Sequence, residues 1–202
     1  MTTNLALLRK GLRVEYFSLA WMMVECVVAL YSGLAAWSLA LVAFGGDSFI
    51  ELLSSIVVIQ HLKASLAGKA NLGVHAENKR AEWATALLLV SLIPVIGLAA
   101  LYSFLNSIRP ESSLLGIGVA IAAVTIMPVL WFEKSRIGTA SRCLPLKTDA
   151  AESATCFWMS IALLSGLLIN YAFKAPWVDY LATFVILAFV GKEALESLRE
   201  VA

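Results

Sequence analysis

Two pairs of side chains with metal-binding chemistry stand four residues apart in segments that are otherwise apolar. Asp47 and Glu51 lie in SLALVAFGGDSFIE, and Glu152 and Cys156 lie in TDAAESATCFW. In a helix this spacing places both members of a pair on one face, about 6 Å apart along the axis. Three carboxylates and one thiol form a ligand set that tetrahedral Zn²⁺ accepts. The spacing therefore predicts a cation site.

A carboxylate inside a bilayer is costly, at about 3 kcal/mol near the centre of a span. One alternative to a cation site is that these acids pair with lysine or accept hydrogen bonds in a purely structural role. We expect no Lys or Arg at their depth, which favours the cation. For Cys156 taken alone, the alternative of a small core residue is stronger, and its spacing from Glu152 is what favours a ligand role.

The composition indicates a membrane protein. The chain has 202 residues, of which 60% are hydrophobic and 14% are charged, whereas soluble domains have about 45–50% apolar and about 25% charged residues. The net charge of +1 provides no basic field for nucleic acid, so we expect no nucleic-acid partner. The expected environment is the lipid bilayer of the cell (inner) membrane.

Six segments are apolar over about the 20 residues that a transmembrane helix needs. They predict an all-α polytopic membrane protein in which residues 1–202 form a single transmembrane domain. Charged or turn-forming segments separate them. The predicted helices cover about 14–33, 38–60, 83–105, 113–132, 148–171 and 176–195.

Lys and Arg are distributed unequally between the two ends of these spans. Of the 15 basic residues, Arg109 and Lys174 alone lie in the connections after the first, third and fifth spans. Because cytoplasmic segments carry the excess of positive charge, both termini are predicted to be cytoplasmic. The second helix then runs inward and the fifth runs outward, so that the two ligand pairs reach a similar depth.

Three further acids are candidates for supporting the ligands or for a proton path. Glu25 lies in the first span, Asp149 lies one turn before Glu152, and Asp179 begins the sixth span. Asp149 could instead be a helix N-terminal charge that favours the dipole, and Asp179 could simply be solvated.

Two other features leave a choice of interpretation. Gly45 and Gly46 permit either close packing of a neighbouring helix or a local bend. His61 and His75 could form a loop metal site with Glu77 and Glu82, although a histidine in a solvated loop is more often just solvated.

The chain resembles the transmembrane core of the cation diffusion facilitators, on the strength of SLALVAFGGDSFIE and the pair on the fifth span. Those proteins have six spans, an acidic pair on the second helix, and a matching pair, often His and Asp, on the fifth. The resemblance covers nearly all 202 residues. It is closest to small efflux-like members whose second helix contains D-S-x-x-E.

The resemblance implies that Asp47, Glu51, Glu152 and Cys156 are the metal ligands. The sequence differs from the common pattern of the family, because Glu152 and Cys156 replace the usual His and Asp of the fifth helix. Many members also carry a cytoplasmic metal-binding domain after the sixth helix. Because this chain ends at Ala202, we expect a small member without that domain, in which any homodimer forms through transmembrane helices.

Together these features predict a transporter that exports a divalent metal, with Zn²⁺ favoured, in exchange for protons and without a prosthetic group. Four ionisable ligands in a low-dielectric setting cannot all stay ionised without a cation, so the empty site should hold protons that a metal expels. One alternative is a non-transporting assembly or regulatory subunit. Another is a metal-dependent membrane enzyme, but that would need an acid or base beside an open coordination position, and we expect no catalytic residue.

Overall fold

The computed structural model describes the backbone of residues 2–68 and 74–201, and the side chains of residues 5–68 and 83–199. Over these residues the chain forms six long α-helices and no β-strand, which confirms the predicted all-α class. The helices are α1 (Thr2–Ala36), α2 (Leu39–Leu66), α3 (Val74–Leu105), α4 (Leu114–Ser141), α5 (Leu144–Phe173) and α6 (Trp177–Val201).

Five of the described helices, α1 to α5, are long and apolar enough to cross a membrane. The sixth, α6, is less apolar because Asp179, Lys192 and Glu193 interrupt it, and both of these acids are buried inside the bundle. Large apolar side chains cover the outer surface, as in Leu98 at 67% and Phe184 at 74% exposure. Such a surface suits lipid rather than water, and the protein is a polytopic membrane protein.

Several helices extend beyond the predicted spans. One such extension affects the site: α4 was predicted to end near residue 132 and continues to Ser141. The prediction stopped where charged residues begin, but a helix can keep its backbone hydrogen bonds beyond the apolar core of a bilayer. The segment that follows residue 132 is therefore helical and not a loop.

The bundle is organised around α2, which packs against α1, α3, α5 and α6. The other neighbouring pairs are α1 with α4, α4 with α5, α5 with α6, and α3 with α6. The main core contains Phe44 of α2 and Met159 of α5, both fully buried. Asp47 and Glu51 are buried because they lie on this central helix.

Two glycines allow neighbouring helices to approach α2 just before Asp47. A Cβ atom on Gly45 would lie 2.9 Å from the backbone nitrogen of Leu30 in α1. A Cβ atom on Gly46 would lie 3.0 Å from Cδ1 of Leu92 in α3. The helix is continuous through both glycines, so this structure supports close packing rather than a bend.

Candidate metal centre

Three carboxylates from α2 and α6 converge inside the bundle. One oxygen atom from each of Asp47, Glu51 and Glu193 lies within 4.8 Å of the other two. The three residues are 0%, 3% and 8% exposed. Both oxygens of Asp47 and of Glu51, and Oε2 of Glu193, have no hydrogen-bond donor among the described residues. Because buried charge needs a partner, this carboxylate cluster has the chemistry of a cation site.

The predicted ligands of α5 lie beside this cluster but outside its 4.8 Å grouping. Glu152 accepts a hydrogen bond from Ser54 Oγ at 3.2 Å, and its Oε2 is buried without a donor in the described part of the chain. Cys156 is fully buried, and its Sγ lies 3.6 Å from Oε1 of Glu25, an oxygen that also accepts a hydrogen bond from Ser48 beside Asp47. Contacts through Ser54 and Glu25 thus bring the two predicted pairs close together.

Glu193 was missed by the sequence analysis. It follows Lys192 near the C-terminal end of α6, where charged residues are usually solvated. A signal was nevertheless present, because Ile186, Val190 and Ala194 form a buried stripe along α6. Glu193 follows Ile186 by seven residues and Val190 by three, which places it on the same side of the helix.

Glu25 of α1 is fully buried and lies next to both predicted pairs. It accepts hydrogen bonds from Trp21 Nε1 at 2.9 Å and from Ser48 Oγ at 2.7 Å. The thiol of Cys156 donates a third at 3.6 Å. Glu25 thus connects α1, α2 and α5 beside the carboxylate cluster.

A buried lysine corrects the expectation that no cation lies near the acids. Lys134 of α4 is fully buried and forms an ion pair with Asp149 of α5. Its Nζ also lies 3.6 Å from Oε2 of Glu15 in α1. The expectation was wrong because Lys134 was assigned to a cytoplasmic connection, whereas it belongs to the extended α4. Asp149 also accepts a hydrogen bond from Ser55 Oγ at 3.2 Å, so its charge is compensated within the protein.

Asp179 closes the opposite end of α2. It accepts a hydrogen bond from Ser38 Oγ at 2.5 Å and from the backbone nitrogens of Leu39 at 3.0 Å and Ala40 at 3.5 Å. A carboxylate at a helix N-terminus satisfies free N–H groups and favours the dipole. The alternative that Asp179 is solvated is wrong, because the residue is 3% exposed.

A cavity of about 600 Å³ lies between α2, α3, α5 and α6. Asp149, Glu152 and Glu193 line it, together with the exposed residues Leu144 and Glu196 near the helix ends. Those ends carry the excess of basic residues and are therefore the predicted cytoplasmic side. The cavity thus leads from that side to the acids of the site.

The predicted loop metal site falls mostly outside the described side chains. His75, Glu77 and Glu82 are outside them, whereas His61 is half-buried near the C-terminal end of α2.

Comparison with known proteins identifies the family. Residues 16–202 match the cation efflux transmembrane domain. The chain is also 23% identical over 197 residues to the manganese efflux system protein MneS of Bacillus subtilis (strain 168), a match that covers 96% of this chain and 67% of that protein. The matched region contains both predicted ligand pairs and Glu193. The chain therefore belongs to the cation efflux family, and it is an integral membrane transporter for the efflux of divalent metal cations rather than an enzyme.

Proposed function

We propose that the protein exports Zn²⁺ in exchange for protons through the site between α2 and α5, with Asp47, Glu51, Glu152 and Cys156 as ligands. The observation that carries the proposal is the group of buried carboxylate oxygens without donors among the described residues. These oxygens lie beside a cavity that reaches the predicted cytoplasmic side. A cation that loses its water there meets fixed anions.

Charge repulsion in the carboxylate cluster supports the exchange of metal for protons. Two unit charges at most 4.8 Å apart repel each other by at least about 3.5 kcal/mol at an effective dielectric constant of about 20. A fully ionised cluster is therefore unfavourable without a cation, and bound protons remove the repulsion. A metal requires deprotonated ligands and displaces those protons. The number of protons belongs to the coupled group and not to any single residue.

A second candidate cargo is Mn²⁺. The three converging ligand atoms are all carboxylate oxygens, which suit Mn²⁺ better than softer metals. The Bacillus subtilis relative is a manganese efflux protein by name. The two candidate metals differ in the role expected of Cys156. A thiol ligand favours Zn²⁺ or a softer ion, whereas a site for Mn²⁺ does not need one.

We also propose that any homodimer uses the apolar outer faces of the helices. Among the five apolar spans, α3 is the least buried, with 17% of its most apolar segment inside the bundle. It therefore offers the largest surface to lipid or to a second copy.

Purified protein in liposomes provides the test. With a pH-sensitive dye inside and an imposed pH gradient, we expect Zn²⁺ flux to move protons. Glu51→Gln and Glu152→Gln should lose the flux while remaining monodisperse in detergent. The control Glu133→Gln changes a surface acid paired with Lys10 and should keep it. Metal flux that ignores the gradient would indicate a channel, and no flux of any metal would favour the assembly-subunit alternative.

A further inference from the structure

We propose that Glu193 of α6 is a further carboxylate ligand of the transport site, and that it receives a divalent cation from the cavity and holds it together with Asp47 and Glu51. This inference rests on the proposed function, because it adds a ligand to the same site. It goes beyond the two ligand pairs on α2 and α5 that the sequence predicts.

The position of Glu193 joins the cavity to the carboxylate cluster. Glu193 lines the cavity and also contributes an oxygen to the group within 4.8 Å. Asp47 and Glu51 contribute to the group but do not line the cavity within the described residues. A cation that enters through the cavity therefore meets Glu193 before it reaches the two acids of α2.

Glu193 forms no ion pair with a Lys or Arg among the described residues. The neighbouring Lys192 is 65% exposed and pairs with Glu196, whose Oε1 lies 3.7 Å from Nζ. The buried Lys134 pairs with Asp149 and Glu15. Glu193 is 8% exposed, and its Oε2 has no donor in the part of the chain described. A carboxylate buried in this way requires a proton or a cation as a partner. Because Glu193 lines the cavity, a cation that enters the cavity can reach it.

The chemistry of this arrangement also bears on selectivity. With Glu193 joined to Asp47 and Glu51, the first site that a cation meets consists of carboxylate oxygens, because the thiol of Cys156 is engaged with Glu25. Oxygen ligands suit Mn²⁺, whereas softer metals prefer sulfur. We therefore expect Glu193 to contribute more to Mn²⁺ binding than to Cd²⁺ binding.

Metal binding to the purified full-length protein in detergent tests the inference without transport. The probe is Mn²⁺ alone, with the free ion measured by electron paramagnetic resonance. Loss of a residue that only supports a ligand weakens metal binding by about 10- to 100-fold, so Glu193→Gln should weaken Mn²⁺ binding by at least about 10-fold. The matched control is Glu196→Gln, which changes an exposed acid of the same helix that also lines the cavity and should bind as the wild type does.

The outcomes separate this inference from the proposed function. If Glu51→Gln loses binding and Glu193→Gln binds as the wild type does, Glu193 is not a ligand and the site between α2 and α5 stands. If Glu51→Gln also binds normally, the site itself is wrong. Should Glu193→Gln fail to fold, Glu193→Asp decides the question. Its shorter side chain should lower the affinity for Mn²⁺, and an unchanged affinity would overturn the inference.

Discussion

Replacing Lys134 with methionine should destabilise the protein far more than the same change at Lys10. Both lysines connect α1 and α4 through an acid, which makes them a matched pair. Lys10 and Glu133 are 52% and 29% exposed at their side chains. Lys134 and Glu15 are both fully buried, and Asp149 completes their ion-pair cluster. The comparison therefore isolates the effect of burial.

The expected magnitude follows from the geometry. At 3.6 Å, Lys134 and Glu15 attract each other by about 5 kcal/mol at an effective dielectric constant of about 20. Removing the lysine leaves Glu15 and Asp149 buried without their cation, and breaking such a pair typically costs about 3–5 kcal/mol. The exposed pair of Lys10 should contribute little, because water screens it.

Thermal unfolding in detergent measures the difference. One kcal/mol changes Tm by about 2–4 °C for a chain of this size, so Lys134→Met should lower Tm by about 6–20 °C. A triple variant that adds Glu15→Gln and Asp149→Asn should recover most of the loss, because it removes the unpaired charges as well. If Lys134→Met unfolds at the same temperature as Lys10→Met, the buried ion pairs do not stabilise the bundle as argued.

Three further predictions concern selectivity, packing and topology. Cys156→Asp should keep transport but reduce the preference for Cd²⁺ over Mn²⁺, and an unchanged ranking in competitive uptake would show that the thiol is not a ligand. Gly45→Ala should lower the free energy of unfolding by about 1–3 kcal/mol, because its Cβ would contact the backbone of α1. The control is Gly118→Ala, which has no atom within 4 Å of its Cβ. Equal unfolding temperatures for the two variants would contradict the close approach of α1 to α2. A cysteine introduced at Arg109 should react with an impermeant reagent from outside, whereas tags at both termini should be reached only from the cytoplasm. External access to either terminus would contradict the predicted topology.

The sequence predicted those parts of the molecule that depend on local pattern. Apolar runs of sufficient length predicted the membrane class, and the spacing between Asp47 and Glu51 predicted a shared helix face. The structure agrees on both points, because a span must bury or cover its apolar surface and helical geometry is regular. Neither inference required knowledge of which helices are neighbours.

The errors concern charged residues near the predicted ends of helices. Lys134 and Glu193 both stand where a span meets charged sequence, and both would be solvated on an isolated helix. Their burial depends on packing between helices: α4 against α1 and α5, and α6 against α2 and α3. Local pattern carries no information on that packing, so Lys134 could not be placed from the sequence. For Glu193 the apolar stripe of α6 indicated the buried side of the helix but not which helices lie against it.

The placement of these two residues sorts the buried acids of the bundle into two classes. Acids of the first class have their charge compensated inside the protein, by Lys134 or by hydrogen-bond donors: Glu15, Glu25, Asp149 and Asp179. Acids of the second class have a buried carboxylate oxygen with no hydrogen-bond donor, and no ion pair with Lys or Arg, among the described residues: Asp47, Glu51, Glu152 and Glu193. An acid of the first class can be buried permanently, since its partner is always present. An acid of the second class must take a partner from outside, and the cavity beside Glu193 provides the route by which a divalent cation reaches it.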